Sequence, residues 1–152
     1  MPEVGTAAKP AVPNPTSTQK PINTNSVNVA LASNGTTVTG DYTGGESMLD
    51  GNTGKGYGKM RLGEPCIVSF PKTYELHEIR LKLVNVGSRY YQYLVEVSAD
   101  GRTYEIVGDA RTGEHRGWQT HAFTSRPVSH IRLTSTFTSD ANSLYVHELE
   151  AY

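Results

Sequence analysis

The chain has 152 residues, with 14 Lys and Arg against 15 Asp and Glu, for a formal charge of −1. That length predicts one domain able to bury most of the surface its unfolded chain exposes. The near-neutral balance excludes the clustered basic footprint of a nucleic-acid binder, and no apolar run approaches a membrane span. A lone cysteine, Cys66, excludes an internal disulfide and a Cys-rich zinc site. Fifteen Gly and nine Tyr, with little helix vocabulary, are the composition of strands and turns.

Residues 1–25 hold five of the eight prolines, and the first aromatic is Tyr42. The stretch has little to bury and reads as a disordered Pro/Thr-rich arm or linker. Its start, Met-Pro-Glu-Val, lacks the apolar core of a signal peptide. Pro10-Ala-Val-Pro13 matches a PxxP pattern but has no flanking basic cluster.

From residue 26 onward the hydrophobic period is two. Val27, Val29 and Leu31 alternate with Asn28, Ala30 and Ala32, predicting a strand. The same alternation runs through Ile79, Leu81 and Leu83, through Tyr91, Tyr93, Val95 and Val97, and through Tyr145, His147, Leu149 and Ala151. Shorter strands are predicted at 66–70, 103–107, 118–123 and 131–134. Trp118 reads as core. Turn signals separate them at Asn34-Gly35, Gly44-Gly45, Asp50-Gly51, Asp100-Gly101 and Arg126-Pro127. Asp100-Gly101 between two strand patterns is a strong hairpin signal. About eight antiparallel strands without a long helix predict an all-β sandwich or barrel.

Catalytic patterns fail on inspection. Gly45-Glu46-Ser47-Met48-Leu49 lacks the last glycine of a nucleophile elbow. Cys66 sits in an apolar strand and reads as a buried thiol. His77, His115, His121, His130 and His147 show no metal-binding spacing. The Gly54–Lys59 stretch has neither a Walker nor a Rossmann spacing. Glu148 and Glu150 share one face of the last strand and read as a solvated pair.

Two features point to binding instead. Asp50-Gly-Asn52-Thr53-Gly54 is an oxygen-rich turn of the kind a hard cation such as Ca²⁺ uses, although the EF-hand position is filled by Arg61. Tyr42, Tyr57, Arg89, His115, Arg116 and Asn142 fall in predicted loops. They combine aromatic faces for sugar C–H surfaces with planar polar groups for hydroxyls.

Three stretches carry a resemblance. Asn28-Val-Ala-Leu-Ala-Ser33 with Leu49-Asp-Gly-Asn52, then Ser88–Gly101 with Thr103–Val107, and finally Arg126–Leu133 with Val146–Tyr152 are similar to the discoidin, or coagulation factor type C, domain. The same jelly-roll fold holds galactose-binding-like bacterial carbohydrate-binding modules. The resemblance covers residues 26–152. It implies a non-enzymatic jelly-roll β-sandwich whose loops at one end bind a glycan, or a protein in docking members. It also implies a structural Ca²⁺ held by Asp50, Asn52 and Glu148. The chain departs from the family in lacking a terminal disulfide, exposed apolar loop tips and a Trp after the Asp-Gly turn. Membrane insertion and nucleic-acid binding are not expected. Linkage to another domain is, with a monomer as the default and an extracellular or cell-surface location if the parent protein is secreted.

Overall fold

The computed structural model describes residues 27–152, apart from 41, 55, 140 and 141. The predicted arm of residues 1–25 lies outside the described residues, as does the side chain of Tyr42. Eight strands follow in chain order: β1 (Thr37–Gly40), β2 (Tyr42–Thr43), β3 (Gly58–Arg61), β4 (Cys66–Leu83), β5 (Tyr91–Ser98), β6 (Glu105–His115), β7 (Gly117–Thr138) and β8 (Ser143–Ala151). Helical structure among the described residues is limited to single 3-10 turns at Ala32–Asn34 and Gly45–Leu49.

Every pairing is antiparallel, in the order β2-β3-β8-β4-β7-β5-β6, with β1 added to β4. The long strands β4 and β7 make this a sandwich rather than a single sheet. The first part of β4, around Val68, pairs with β1 and with the later part of β7, around Ile131. Its later part, around Leu81, pairs with the start of β7 and with β8. Register shifts between Ser69 and Tyr74, and between Leu76 and Glu78, bend the ladder from one layer into the other. The result is the expected jelly-roll β-sandwich.

Between the layers, Ile79, Leu81 and Leu83 of β4 are buried with Ile131 and Leu133 of β7 and with Tyr93 and Val95 of β5. Each such aliphatic side chain contributes about 1.5–3 kcal/mol by leaving water. Shortening one, as in Leu133→Ala, costs about 2–5 kcal/mol because the neighbours collapse only partly into the void. Trp118 is buried as predicted, and so is Cys66, whose thiol burial pushes up to about 12.

Local chemistry explains the central hairpin. Ser98 Oγ accepts the amides of Asp100 and Gly101, and Asp100 Oδ1 accepts those of Arg102 and Thr103. Gly101 takes φ +77°, which its missing Cβ allows. The amides donated to the Asp100 carboxylate hold it down at about 2.

Three expectations are corrected. Residues 27–31 form no strand. Asn28 Oδ1 accepts the amides of Ala30 and, across the fold, of Ala151, with Ala30 buried and Val27 exposed. Arg126-Pro127 is not a turn: Pro127 lies within β7 opposite Glu75, next to the irregular stretch where a missing N–H is tolerated. The segments predicted separately at 66–70 and 79–83 are one strand, as are 118–123 and 131–134.

Candidate binding site

The strand β8 places the site. Leu144 and Val146 point into the core, so Tyr145 between them faces outward. The β3–β8 register sets Lys59 opposite Tyr145 and brings the preceding loop alongside. The half-exposed Tyr57 ring meets Tyr145 edge-on at 5.3 Å and His147 at 6.1 Å. The Arg89 guanidinium, from the loop between β4 and β5, lies 5.1 Å from the Tyr145 ring centre, and Lys59 Nζ lies 6.0 Å away. His147 Nδ1 is 2.7 Å from the Gly56 carbonyl. A carbonyl only accepts, so Nδ1 carries a proton here, and in the neutral ring Nε2 is then the acceptor.

Beside this platform is a shallow depression of about 670 Å³ lined by Val86, Ser88, Arg89, Tyr90, Arg116 and Ser139. Arg116 fastens its two sides together. Its Nε donates to the Arg89 carbonyl at 3.0 Å, one Nη donates to Glu114 Oε1 at 2.8 Å, and the guanidinium lies 5.9 Å from the Tyr90 ring. The Tyr90 and Ser139 backbones bond reciprocally, through Ser139 Oγ on one side, and Phe137 lies against the Tyr90 ring. Arg116 thereby fixes the loop that carries Arg89.

The structure thus brings together Tyr57, Arg89 and Arg116 of the residues expected at the site. His115 is turned elsewhere. Its Nε2 lies 2.6 Å from the Thr112 carbonyl and its Nδ1 3.2 Å from Gln119 Oε1, with its ring against Tyr93. Asn142 is exposed ahead of β8, and its carbonyl accepts the Leu62 amide. The backbone of Tyr42 pairs with Met60. Lys59, Tyr145 and His147 join the platform although sequence reasoning passed over them. Tyr145 and His147 were visible only as members of an alternating strand.

The oxygen-rich turn is arranged differently from the expected cation site. Asp50 Oδ1 accepts the Asn52 amide at 2.8 Å, and Asn52 Oδ1 accepts the Gly54 amide at 3.0 Å. Glu148 Oε2 accepts the Gly51 amide at 3.0 Å, and the Thr53 carbonyl accepts Lys82 Nζ at 2.7 Å. Glu148 and Glu150 are buried rather than solvated, a correction to the sequence reading: Glu148 lies under the turn that carries Gly51, and Glu150 sits opposite Arg80 of β4. Tyr152 donates its hydroxyl to Glu150 Oε1. Among the described residues no group of three or more His, Cys, Asp or Glu side chains is placed to hold a metal. A calcium ion needs six to eight oxygens. Here Asp50 Oδ1 and Glu148 Oε2 each accept a backbone N–H, and the Thr53 carbonyl faces an ammonium that would repel a divalent ion, so the residues present do not fit the ion beside that ammonium.

Comparison with known structures gives the class of fold. A family 32 carbohydrate-binding module from Clostridium perfringens, solved with GalNAc-β-1,3-galactose, superposes with a TM-score of 0.64 at 14% identity, over 77% of this chain and 94% of that one. A chitosan-binding module from a Paenibacillus chitosanase/glucanase gives 0.69 at 21% identity, over 84% and 99%. At these identities the likeness establishes a shared galactose-binding-like fold. No family model matches the chain. Among curated proteins, BTB/POZ domain-containing protein 9 of Drosophila melanogaster is 32% identical over 108 residues, 71% of this chain and 14% of that protein. The Homo sapiens protein of that name is 31% identical over 105 residues, 65% of this chain and 17% of that protein. The chain therefore spans less than a fifth of the length of these relatives.

Proposed function

We propose that the chain is a non-catalytic carbohydrate-binding module that takes a galactose-type sugar at the Tyr57–Tyr145 platform. The observation that carries this reading is the exposed Tyr57 ring set beside an outward Tyr145, with Arg89 and the His147 ring within reach. A sugar needs both parts. Its C–H face packs on an aromatic ring, and its hydroxyls need a fixed donor and a fixed acceptor. A galactose-type ring supplies a continuous C–H face and an axial hydroxyl that leaves this face clear. Arg89 donates, His147 Nε2 accepts, and Arg116 holds the Arg89 loop in place.

A shallow, open platform of this kind supports a Kd on the order of 0.1–1 mM. Linkage to another domain would raise effective affinity, and the Pro-rich residues 1–25 have a linker's composition. The similar modules from Clostridium perfringens and Paenibacillus, described with a disaccharide and as chitosan-binding, support the reading by analogy of fold. The test is a glycan array followed by calorimetric titration with galactose and N-acetylgalactosamine. Saturable binding lost in Tyr57→Ala supports the proposal, and no binding at tens of millimolar refutes it.

A second reading is a protein-docking module of the same fold; the identity to part of BTB/POZ domain-containing protein 9 is the observation that sets this chain beside a stretch of a longer protein. It predicts partner retention in a pull-down that free sugar does not compete away.

A further inference from the structure

The turn at residues 50–54 docks on strands β4 and β8 at two points of opposite charge. The Glu148 carboxylate accepts a hydrogen bond from the Gly51 N–H, and the Lys82 ammonium donates one to the Thr53 carbonyl at 2.7 Å. Lys82 and Glu148 are direct cross-strand partners, as are Arg80 and Glu150 two residues along. This face of the sheet therefore alternates cation against carboxylate under the chain that covers it, where Met48 and Leu49 are fully buried. Lys82 is partly buried, so its hydrogen bond to the carbonyl is less screened than one on an open surface.

We infer that Lys82 is the resident cation of this turn, doing by a side-chain ammonium what a bound calcium ion would otherwise do. The chemistry of the donors supports this. A divalent ion bound by the Thr53 carbonyl, Asp50 and Glu148 would have to displace the ammonium. It would also have to share Asp50 and Glu148 with the backbone amides that Asp50 Oδ1 and Glu148 Oε2 already accept. An ammonium on a strand satisfies the carbonyl from a fixed anchor and is indifferent to metal supply. The fold then closes its longest early loop without any ion, whatever ligand the platform binds.

The test measures thermal unfolding of the wild-type chain in 1 mM EDTA and in 5 mM CaCl₂, alongside terbium luminescence and the variant Lys82→Met. The melting temperature is expected to agree between the two buffers to within about 1 °C, since a ligand bound only by the native state would raise it. Terbium is expected to give no saturable sensitised emission. Lys82→Met is expected to lower the melting temperature by about 5 °C. A rise of several degrees in calcium, saturable terbium emission displaced by calcium, or an unchanged melting temperature in Lys82→Met would each overturn the inference. If Lys82→Met does not fold, amide exchange of the wild type serves instead. The Gly51 amide is expected to be protected equally with and without EDTA, and protection lost on chelation overturns the inference.

Discussion

Acidification is expected to destabilise this domain partly through one buried imidazole. His121 of β7 is 4% exposed, with Nε2 2.7 Å from the Tyr93 hydroxyl and its ring edge-on to the Tyr93 ring at 5.5 Å. Burial, aided by the nearby His115, lowers it from 6.5 to about 4. The unfolded chain exposes an ordinary histidine, so between these two values it binds more protons than the native state. Stability therefore falls as the pH drops from about 6.5 towards 4. One pKa unit corresponds to about 1.4 kcal/mol, so the full loss is about 3 kcal/mol, of which about 2 kcal/mol is reached at pH 5. His121→Gln keeps a polar group facing Tyr93 and cannot titrate. Urea denaturation at pH 7.5 and pH 5 reads the difference. The wild type is expected to lose about 2 kcal/mol more than His121→Gln over that interval. An identical pH dependence in both proteins, or an NMR titration placing His121 near 6.5, would refute the reasoning.

Other consequences follow from the same packing. A Cβ added at Gly108 would sit 2.6 Å from the His121 ring, so Gly108→Ala is expected to cost about 2 kcal/mol or more, with a smaller cost in a His121→Ala background, read by a double-mutant cycle in urea. Cys66 is 1% exposed with its thiol near 12, so it is expected to resist a thiol reagent at pH 8 in the native state and to react fully in denaturant. Arg116→Ala is expected to weaken sugar binding several-fold by releasing the loop that carries Arg89, with increased amide exchange across residues 86–90 as the accompanying sign.

Local features of the fold were legible in the sequence, and non-local ones were not. The Asp100-Gly101 hairpin is written in a short stretch where the Ser98 and Asp100 side chains bond the backbone of the turn, so the pattern alone reveals it. Strand β7 is read as two pieces because Arg126-Pro127 carries a turn signal. Only pairing with β4, some fifty residues earlier, shows that the chain bends and continues. The segment at Val27 has strand periodicity, yet bonding by Asn28 to Ala151 overrides it.

The same division holds at the site. Tyr57 and Arg89 stood out as an aromatic and a cation in loops. Tyr145 did not, because an alternating strand gives equal standing to inward and outward residues until its partners are known. His115 looked like a loop histidine until Gln119 and the Thr112 carbonyl were placed beside its ring. Glu148 and Glu150 followed the alternation expected of a solvated face, and only their non-local partners, the Gly51 amide for Glu148 and Arg80 for Glu150, mark them as buried.

The central claim is that the Tyr57–Tyr145 platform binds a sugar. It is tested most directly by titrating isotopically labelled protein with galactose and following the amide spectrum. The account predicts fast-exchange shifts that saturate at millimolar sugar and cluster at Tyr57, Lys59, Arg89, Tyr145 and His147. Shifts that fail to saturate, or that saturate elsewhere on the sandwich, would contradict it.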